Sequence, residues 1–229
     1  SLLNGNTKLT VVTGAGIDSD SGLSTFRGEE GHYHDDDATY LASTDALYNE
    51  PVKAWQWFIK FFLSYHDILP ANSHYSLVEL EEKIGDSFVG LITQNISGLH
   101  CKAGSKKVLE IHGSIREMRN RQTRELIPLP TSWVNSPPED EEFMKWRPNV
   151  CYINESYSEY PYSESLNACE SCDLLLVIGT AGIIPTPIRF AEDARKSGAE
   201  VLNINPHSGE LDNVSDYVFR GTAQEYFNL

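Results

Sequence analysis

Short apolar runs with little polar alternation recur along the chain, each followed by a polar or glycine-containing turn. They predict strands at Leu9–Val12, Val89–Thr93, Lys107–Ile111, Leu174–Ile178, Glu200–Ile204 and Asp216–Phe219. A strand that is apolar on both faces must be covered on both, the condition of a parallel sheet sandwiched between helices. Helical spacing fills the intervals. Pro51–Leu63 carries Trp55, Trp57, Phe58, Phe61 and Phe62. Asn72–Lys83 sets Leu77, Leu80 and the adjoining Ile84 at helical spacing, and Pro187–Ser197 runs to a stop at Gly198. The alternation predicts an α/β fold, a Rossmann-type doubly wound parallel sheet of about six strands.

Two stretches break the pattern. Glu29–Asp37, EEGHYHDDD, is too charged for a core; it reads as a solvated loop, with metal binding through His32, His34 and its aspartates as the other reading. Ile115–Asn149, with Pro128, Pro130, Pro137, Pro138 and the acidic Glu139–Glu142, holds no clear period and reads as a small inserted lobe or a long excursion from the sheet.

Leu9–Gly28, LTVVTGAGIDSDSGLSTFRG, is the stretch on which the rest turns. A buried strand ends at Thr13 and delivers Gly14-Ala15-Gly16, whose bare backbone suits close approach to a phosphate. Gly14 and Gly16 supply only the first two glycines of the dinucleotide fingerprint, and Ser19 stands at the third, so a plain glycine turn reads equally well. Other predicted strands end on polar groups too: Gln94-Asn95-Ile96-Ser97, His112-Gly113-Ser114, Gly179-Thr180-Ala181-Gly182 and Asn203-Ile204-Asn205. Each alone has an ordinary explanation, His112 as a satisfied core histidine or Gln94-Asn95 as a cap. Together they share the edge at which open parallel sheets bind ligands.

Composition narrows the function. At 229 residues, 40% hydrophobic and 22% charged, the chain builds one sizeable core, or one core with a small lobe. No apolar run reaches membrane-spanning length, and no positively charged start precedes an apolar stretch, so a cytoplasmic location is expected. The sequence starts at Ser1 rather than Met, which leaves room for an upstream segment. With 18 basic against 33 acidic residues the formal charge is −15, which argues against a nucleic-acid surface. A basic, lysine-rich partner is compatible with that charge, although solubility alone accounts for it. The four cysteines, Cys101, Cys151, Cys169 and Cys172, are expected as thiols; Cys169 and Cys172 have CxxC spacing but lack the second pair of a four-cysteine zinc site.

The motifs GAGI, SG and TFRG, followed in order by TQNISGLH, EIHGS, VIGT and LNIN, resemble the sirtuin family of NAD-dependent protein-lysine deacylases, from about Leu9 to Phe227. RPNVCYINES, Arg147–Ser156, resembles a divergent copy of that family's peptide-pairing segment. The resemblance implies a single domain over 1–229: a core of 1–30, 72–114 and 173–229, a helical part with a cofactor loop over 31–71, and a small lobe over 115–150. It implies NAD as cofactor and an acyl-lysine protein or peptide as partner, with no nucleic acid and no membrane. Gly14, Ala15, Gly16, Gly179 and Thr180 would receive the phosphates, with Arg27 nearby, and Thr25 and Phe26 would reach over the nicotinamide ribose. Gln94 and Asn95 would bond that ribose, Ile96 and Ser97 would hold the carboxamide, Asn203 would bind the adenosine ribose, and Ala223 would lie near the adenine. His112 would be the general base acting through the ribose hydroxyls, with Asn95 as the second catalytic residue; Val150, Ile153, Asn154 and Glu155 would pair with the peptide. A histidine suits that step because its ordinary pKa of about 6.5 leaves much of it neutral near pH 7.

The departures from the family carry expectations of their own. The family's lobe has two CxxC pairs, whereas Gly113–Trp146 contains no cysteine, so a zinc-free lobe held by its own packing is expected. Family members usually carry Ser after GAGI and Asp after QNI; here Asp18 and Ser97 stand there, which suggests that Asp18 supplies the carboxylate from across the nicotinamide pocket, or that the site has drifted. Phe58 and Phe61 fall where members that remove acidic acyl groups carry Tyr and Arg, so neutral acyl groups are expected. Ile153-Asn154-Glu155 replaces Phe-Gly-Glu, and Ala181 replaces a Ser, which makes peptide binding less secure than NAD binding. Three functions stay open: a deacylase, favoured by Asn95 and His112; an NAD glycohydrolase or mono-ADP-ribosyltransferase, favoured by the altered pocket; and a non-catalytic NAD or ADP-ribose-binding module, against which His112 speaks.

Overall fold

The computed structural model describes residues 6–23, 36–135 and 139–228. Strand β1 (Leu9–Thr13) runs into α1 (Ala15–Ser19); α2 (Asp36–Leu41), α3 (Thr44–Asn49), α4 (Pro51–His66), α5 (Asn72–Ile84), β2 (Phe88–Thr93), α6 (Leu99–Ala103) and β3 (Val108–Glu110) follow. The chain then forms β4 (Gly113–Asn120), β5 (Leu126–Pro128), α7 (Ser132–Asn135), α8 (Asp140–Lys145) and β6 (Trp146–Val150). Helix α9 (Glu159–Ser171), β7 (Leu174–Ile178), α10 (Thr186–Lys196), β8 (Glu200–Ile204), β9 (Tyr217–Phe219) and α11 (Ala223–Phe227) complete it.

Six strands form one sheet in the order β3-β2-β1-β7-β8-β9, with every pairing parallel. The winding reverses between β1 and β7, and this is the doubly wound Rossmann arrangement. Alternate residues of each strand serve opposite layers. Val12, Leu175, Val177 and Val201 pack with Cys169 of α9 and Phe190 and Ala194 of α10. Leu9, Val11, Leu174, Leu176 and Ile178 pack with Leu77 of α5 and Ala223 of α11. Both faces being buried is why these strands read as unbroken apolar runs.

A third core lies off the sheet. Trp55, Phe58, Ile59, Phe61 and Phe62 of α4 meet Ile115, Met118, Leu129, Phe143, Trp146 and Val150. The interval 115–149, read from sequence as without periodicity, contributes in its described residues to a three-stranded antiparallel sheet, β5-β4-β6. Trp55 pins that lobe. Its indole is fully buried, stacks on Phe143 at 5.6 Å between ring centroids, and donates its N–H to the carbonyls of Phe143 and Trp146, each at 3.1 Å. Among the described residues no group of three or more His, Cys, Asp or Glu side chains is arranged to hold a metal ion. No helix among them is long and apolar enough to cross a membrane.

Candidate active site

The carboxyl ends of β1, β2, β7 and β8 open into a cavity of about 930 Å³ at the point where the winding reverses. That size is near the top of the roughly 300–1,000 Å³ of small-molecule and cofactor sites. Its described wall includes Ala15, Gly16, Gln94, Asn95, Ile96, His112, Gly179, Thr180, Asn205 and Ala223, with Ala42, Trp57, Phe58, Phe61, Val150, Ile153, Asn154 and Glu155 toward the lobe.

Two glycine turns build the floor by interlocking. A Cβ on Gly14 would lie 2.7 Å from the Thr180 Cβ, and one on Gly16 would lie 2.7 Å from the Gly179 Cα. Gly179 itself has φ +62°, where a side chain would be strained, and its Cβ would strike the Ile17 nitrogen at 2.7 Å. Gly16 N–H donates to the Gly179 carbonyl at 2.7 Å. The glycines of the first turn are therefore required by the turn after β7, before any phosphate is considered.

Polar bonds then stitch the strand ends together. Thr180 Oγ1 donates to Gln94 Oε1 at 2.9 Å, and Asn205 Nδ2 donates to the Thr180 carbonyl at 2.8 Å. Asn95 is buried, and its Nδ2 donates to the Gly14 carbonyl at 3.0 Å. His112 Nδ1 lies 2.7 Å from the Gln94 carbonyl. A carbonyl can only accept, so Nδ1 carries the hydrogen and Nε2 is left as the acceptor of a neutral imidazole. Burial lowers the His112 pKa from its ordinary value, and the bond to Gln94 opposes that only in part. The ring is thus a base ready to take a proton at neutral pH.

Behind the wall runs a second polar chain. Ser97 Oγ donates to Asp18 Oδ2 at 2.7 Å, and His74 Nε2 meets Asp18 Oδ1 at 3.1 Å. Ala71 N–H donates to His74 Nδ1, so the hydrogen of His74 sits on Nε2, toward the carboxylate. His100 Nε2 meets Thr13 Oγ1 at 2.9 Å; Thr13 Oγ1 donates to Thr93 Oγ1, which accepts from Asn95 N–H at 3.1 Å. Burial first, and then neighbouring His74, hold the His100 pKa well below its ordinary value, so its ring is neutral.

The structure brings most of the expected residues to one cavity, with instructive exceptions. Asp18 and Ser97 bond each other but do not line it; Asp18 is buried one layer back. Gly14 contributes through its carbonyl rather than as wall. Asn203 does not line the cavity either: its Nδ2 donates to Asp212 Oδ1 at 2.8 Å, and Asn205, two residues on, takes the place at the wall. Both oxygens of Glu155 are engaged by Arg147, at 2.7 Å each, so the carboxylate braces the segment around Val150–Asn154 from within. Asn154 has φ +69°, a left-handed conformation that asparagine adopts more readily than most residues. Thr25, Phe26 and Arg27 lie outside the described residues, as do His32 and His34. Wall residues that the sequence did not single out include Cys151, Tyr157 and His207. Burial, with Glu155 nearby, pushes the Cys151 thiol up to about 11, which keeps it protonated.

These features define a class, the doubly wound α/β proteins with a ligand cavity at the switch point. The Sir2 family model matches residues 14–185. A relative in Leptospira interrogans, named NAD-dependent protein deacylase, is 35% identical over 227 residues, covering 95% of this chain and 89% of its own. One of the same name in Aquifex aeolicus is 31% identical over 224 residues, covering 95% and 91%. Of solved structures, a Sir2 homologue–NAD complex matches with a TM-score of 0.84 at 27% identity, covering 98% of this chain and 88% of that one. A mutant Sir2 homologue in complex with 2′-O-acetyl ADP-ribose matches with a TM-score of 0.84 at 28% identity, covering 98% and 90%. The chain belongs to the Sir2 family.

Proposed function

We propose that this protein is an NAD-dependent protein-lysine deacylase that releases neutral acyl groups, acetyl or longer. The observation that carries the reading is the His112–Gln94 bond: it fixes the hydrogen of the buried imidazole on Nδ1 and leaves Nε2 as the acceptor, on the wall of a cavity large enough for a dinucleotide. Bound NAD supplies an electrophilic ribose whose bond to nicotinamide breaks as the acyl oxygen attacks, so that acyl-ADP-ribose, nicotinamide and, after addition of water, free lysine result. The cavity fits such a group through its size, its glycine floor and its row of amide side chains.

In this reading Ala15, Gly16, Gly179 and Thr180 hold the phosphates, and Asn205 rather than Asn203 takes the adenosine ribose, near Ala223. Gln94 and Asn95 orient the nicotinamide ribose, Ile96 holds the carboxamide, and His112 removes a proton from a ribose hydroxyl. Asp18 and Ser97 set the loop carrying Asn95 and Ile96 from behind. Thr25, Phe26 and Arg27 keep the roles that the resemblance gives them. Val150, Ile153 and Asn154 flank the acyl-lysine peptide, and Glu155 supports them. Phe58 and Phe61 on the wall favour a neutral acyl chain, because they offer no charged donor to an acidic one.

We also propose a zinc-free lobe and a cytoplasmic location. The aromatic core shared with α4 supports the first, and the lack of a membrane-spanning helix among the described residues is compatible with the second. The test is to incubate the protein with NAD and matched acetyl- and succinyl-lysine peptides and to identify the products by mass spectrometry. Acetyl-ADP-ribose, formed faster than the succinyl product, is expected. ADP-ribose with an untouched peptide would favour NAD hydrolysis instead, and a faster succinyl reaction would overturn the acyl preference.

A further inference from the structure

His112 is held from a second side. Its ring stacks on Tyr157, with centroids 5.5 Å apart and planes 20° apart. Tyr157 follows the peptide-flanking segment, lines the cavity, and belongs to none of the motifs considered above. It is itself anchored. Its other neighbour in the stack is Tyr162 of α9, at 5.1 Å and 17°, and Tyr162 in turn meets Phe190 of α10, fully buried in the core, at 5.9 Å. The Tyr157 hydroxyl pairs with Thr186 Oγ1 at the start of α10, at 2.8 Å. A column of rings thus connects the imidazole to the interior of the molecule.

We propose that Tyr157 is a positioning residue for His112, an inference that rests on His112 being the base. The Nδ1 bond to Gln94 fixes one edge of the imidazole but leaves the ring free to tilt about that contact. An offset-stacked neighbour removes that freedom and keeps Nε2 directed into the cavity. The electron-rich face of Tyr157 also favours the imidazolium that forms when His112 takes its proton. Burial opposes that charge, and the ring offsets part of the penalty where the reaction needs it. Tyr157 therefore acts on the step after nicotinamide has left and not on the cleavage before it.

Two rates separate those steps in the same protein: exchange of labelled nicotinamide into NAD in the presence of acyl peptide, which does not need the base, and release of free lysine, which does. Tyr157→Leu should lower kcat for lysine release about 5- to 10-fold, with exchange and both KM values within about twofold of the wild type. Tyr157→Phe, which keeps the ring, and Thr186→Val, which frees the hydroxyl without touching the wall, should each lose only about twofold. An unchanged kcat in Tyr157→Leu would overturn the proposal, as would a parallel loss of exchange and lysine release. If Tyr157→Leu does not fold, Tyr157→Met, which also removes the ring, should show the same loss of kcat, about 5- to 10-fold, and an unchanged kcat in it would overturn the proposal. Failure of the underlying reading looks different: the unmutated protein would exchange nicotinamide, or hydrolyse NAD, without releasing lysine.

Discussion

Asp18 and Ser97 meet through one short hydrogen bond, and its strength does not depend on which strand end supplies the carboxylate. The resemblance read from the sequence makes the pair a transposition of the family's usual order, and an acid and a hydroxyl still face each other, with His74 on the acid's other oxygen. Ser97→Asp alone would set two carboxylates against each other and should cost about 2–4 kcal/mol in stability. Combining it with Asp18→Ser should restore both the melting temperature and NAD turnover, and a double variant as impaired as the single one would refute the transposition. Asp18→Ala should lower NAD turnover about 10- to 100-fold through the loosened Asn95 loop, and unchanged turnover would remove Asp18 from the mechanism. With His112 as the proposed base, the pH dependence rests on its ring. The base must be unprotonated, and burial lowers its pKa, so lysine release should rise with pH through a midpoint below 6.5 and be level by neutrality. A midpoint above 7 would place the base elsewhere. Sequence shows such residue types clearly but not which way they face. Asn203 and Asn205 share one short motif, and it takes their contacts, with Asp212 and with Thr180, to tell them apart. Tyr157 carried no signal because its partner, His112, is 45 positions away in the chain.

Among the elements, α4 joins the site to the lobe. Its apolar face closes the cavity with Phe58 and Phe61, and the same helix sends Trp55 into the lobe. Trp55→Ala should cost about 3–5 kcal/mol and loosen β6, which carries Val150. A chelator should leave the melting curve of the purified protein unchanged, and stoichiometric zinc by metal analysis would contradict the zinc-free lobe. The parallel strands were legible because helices cover both faces, so burial alone makes their sequences apolar throughout. The lobe was not. Its longest strand, β4, is mostly polar, β5 and β6 each carry a proline, and their apolar partners come from α4, some 60 to 90 positions earlier. A window sliding along 115–149 sees only half of that core.

At the scale of the molecule, the reversal of winding between β1 and β7 decides where the chemistry sits. The glycine floor, the Gln94–Thr180–Asn205 stitch and the placement of His112 all follow from strands that end at one edge. The lobe and α4 complete the other wall, so a cofactor on the sheet and a peptide beside the lobe would meet at His112. The half-fingerprint at Gly14 and Gly16 was legible as a tight turn. Its partner turn at Gly179 was not, since no local pattern reports that two loops 165 positions apart need each other's missing Cβ. The most direct measurement is a product balance in a single turnover with NAD and an acetyl-lysine peptide, for the unmutated protein beside His112→Ala. The expected result is equal amounts of nicotinamide, acetyl-ADP-ribose and free lysine from the first, and nicotinamide without free lysine from the second. ADP-ribose beside intact peptide from the unmutated protein, or full lysine release from His112→Ala, would contradict a deacylase with its base at His112.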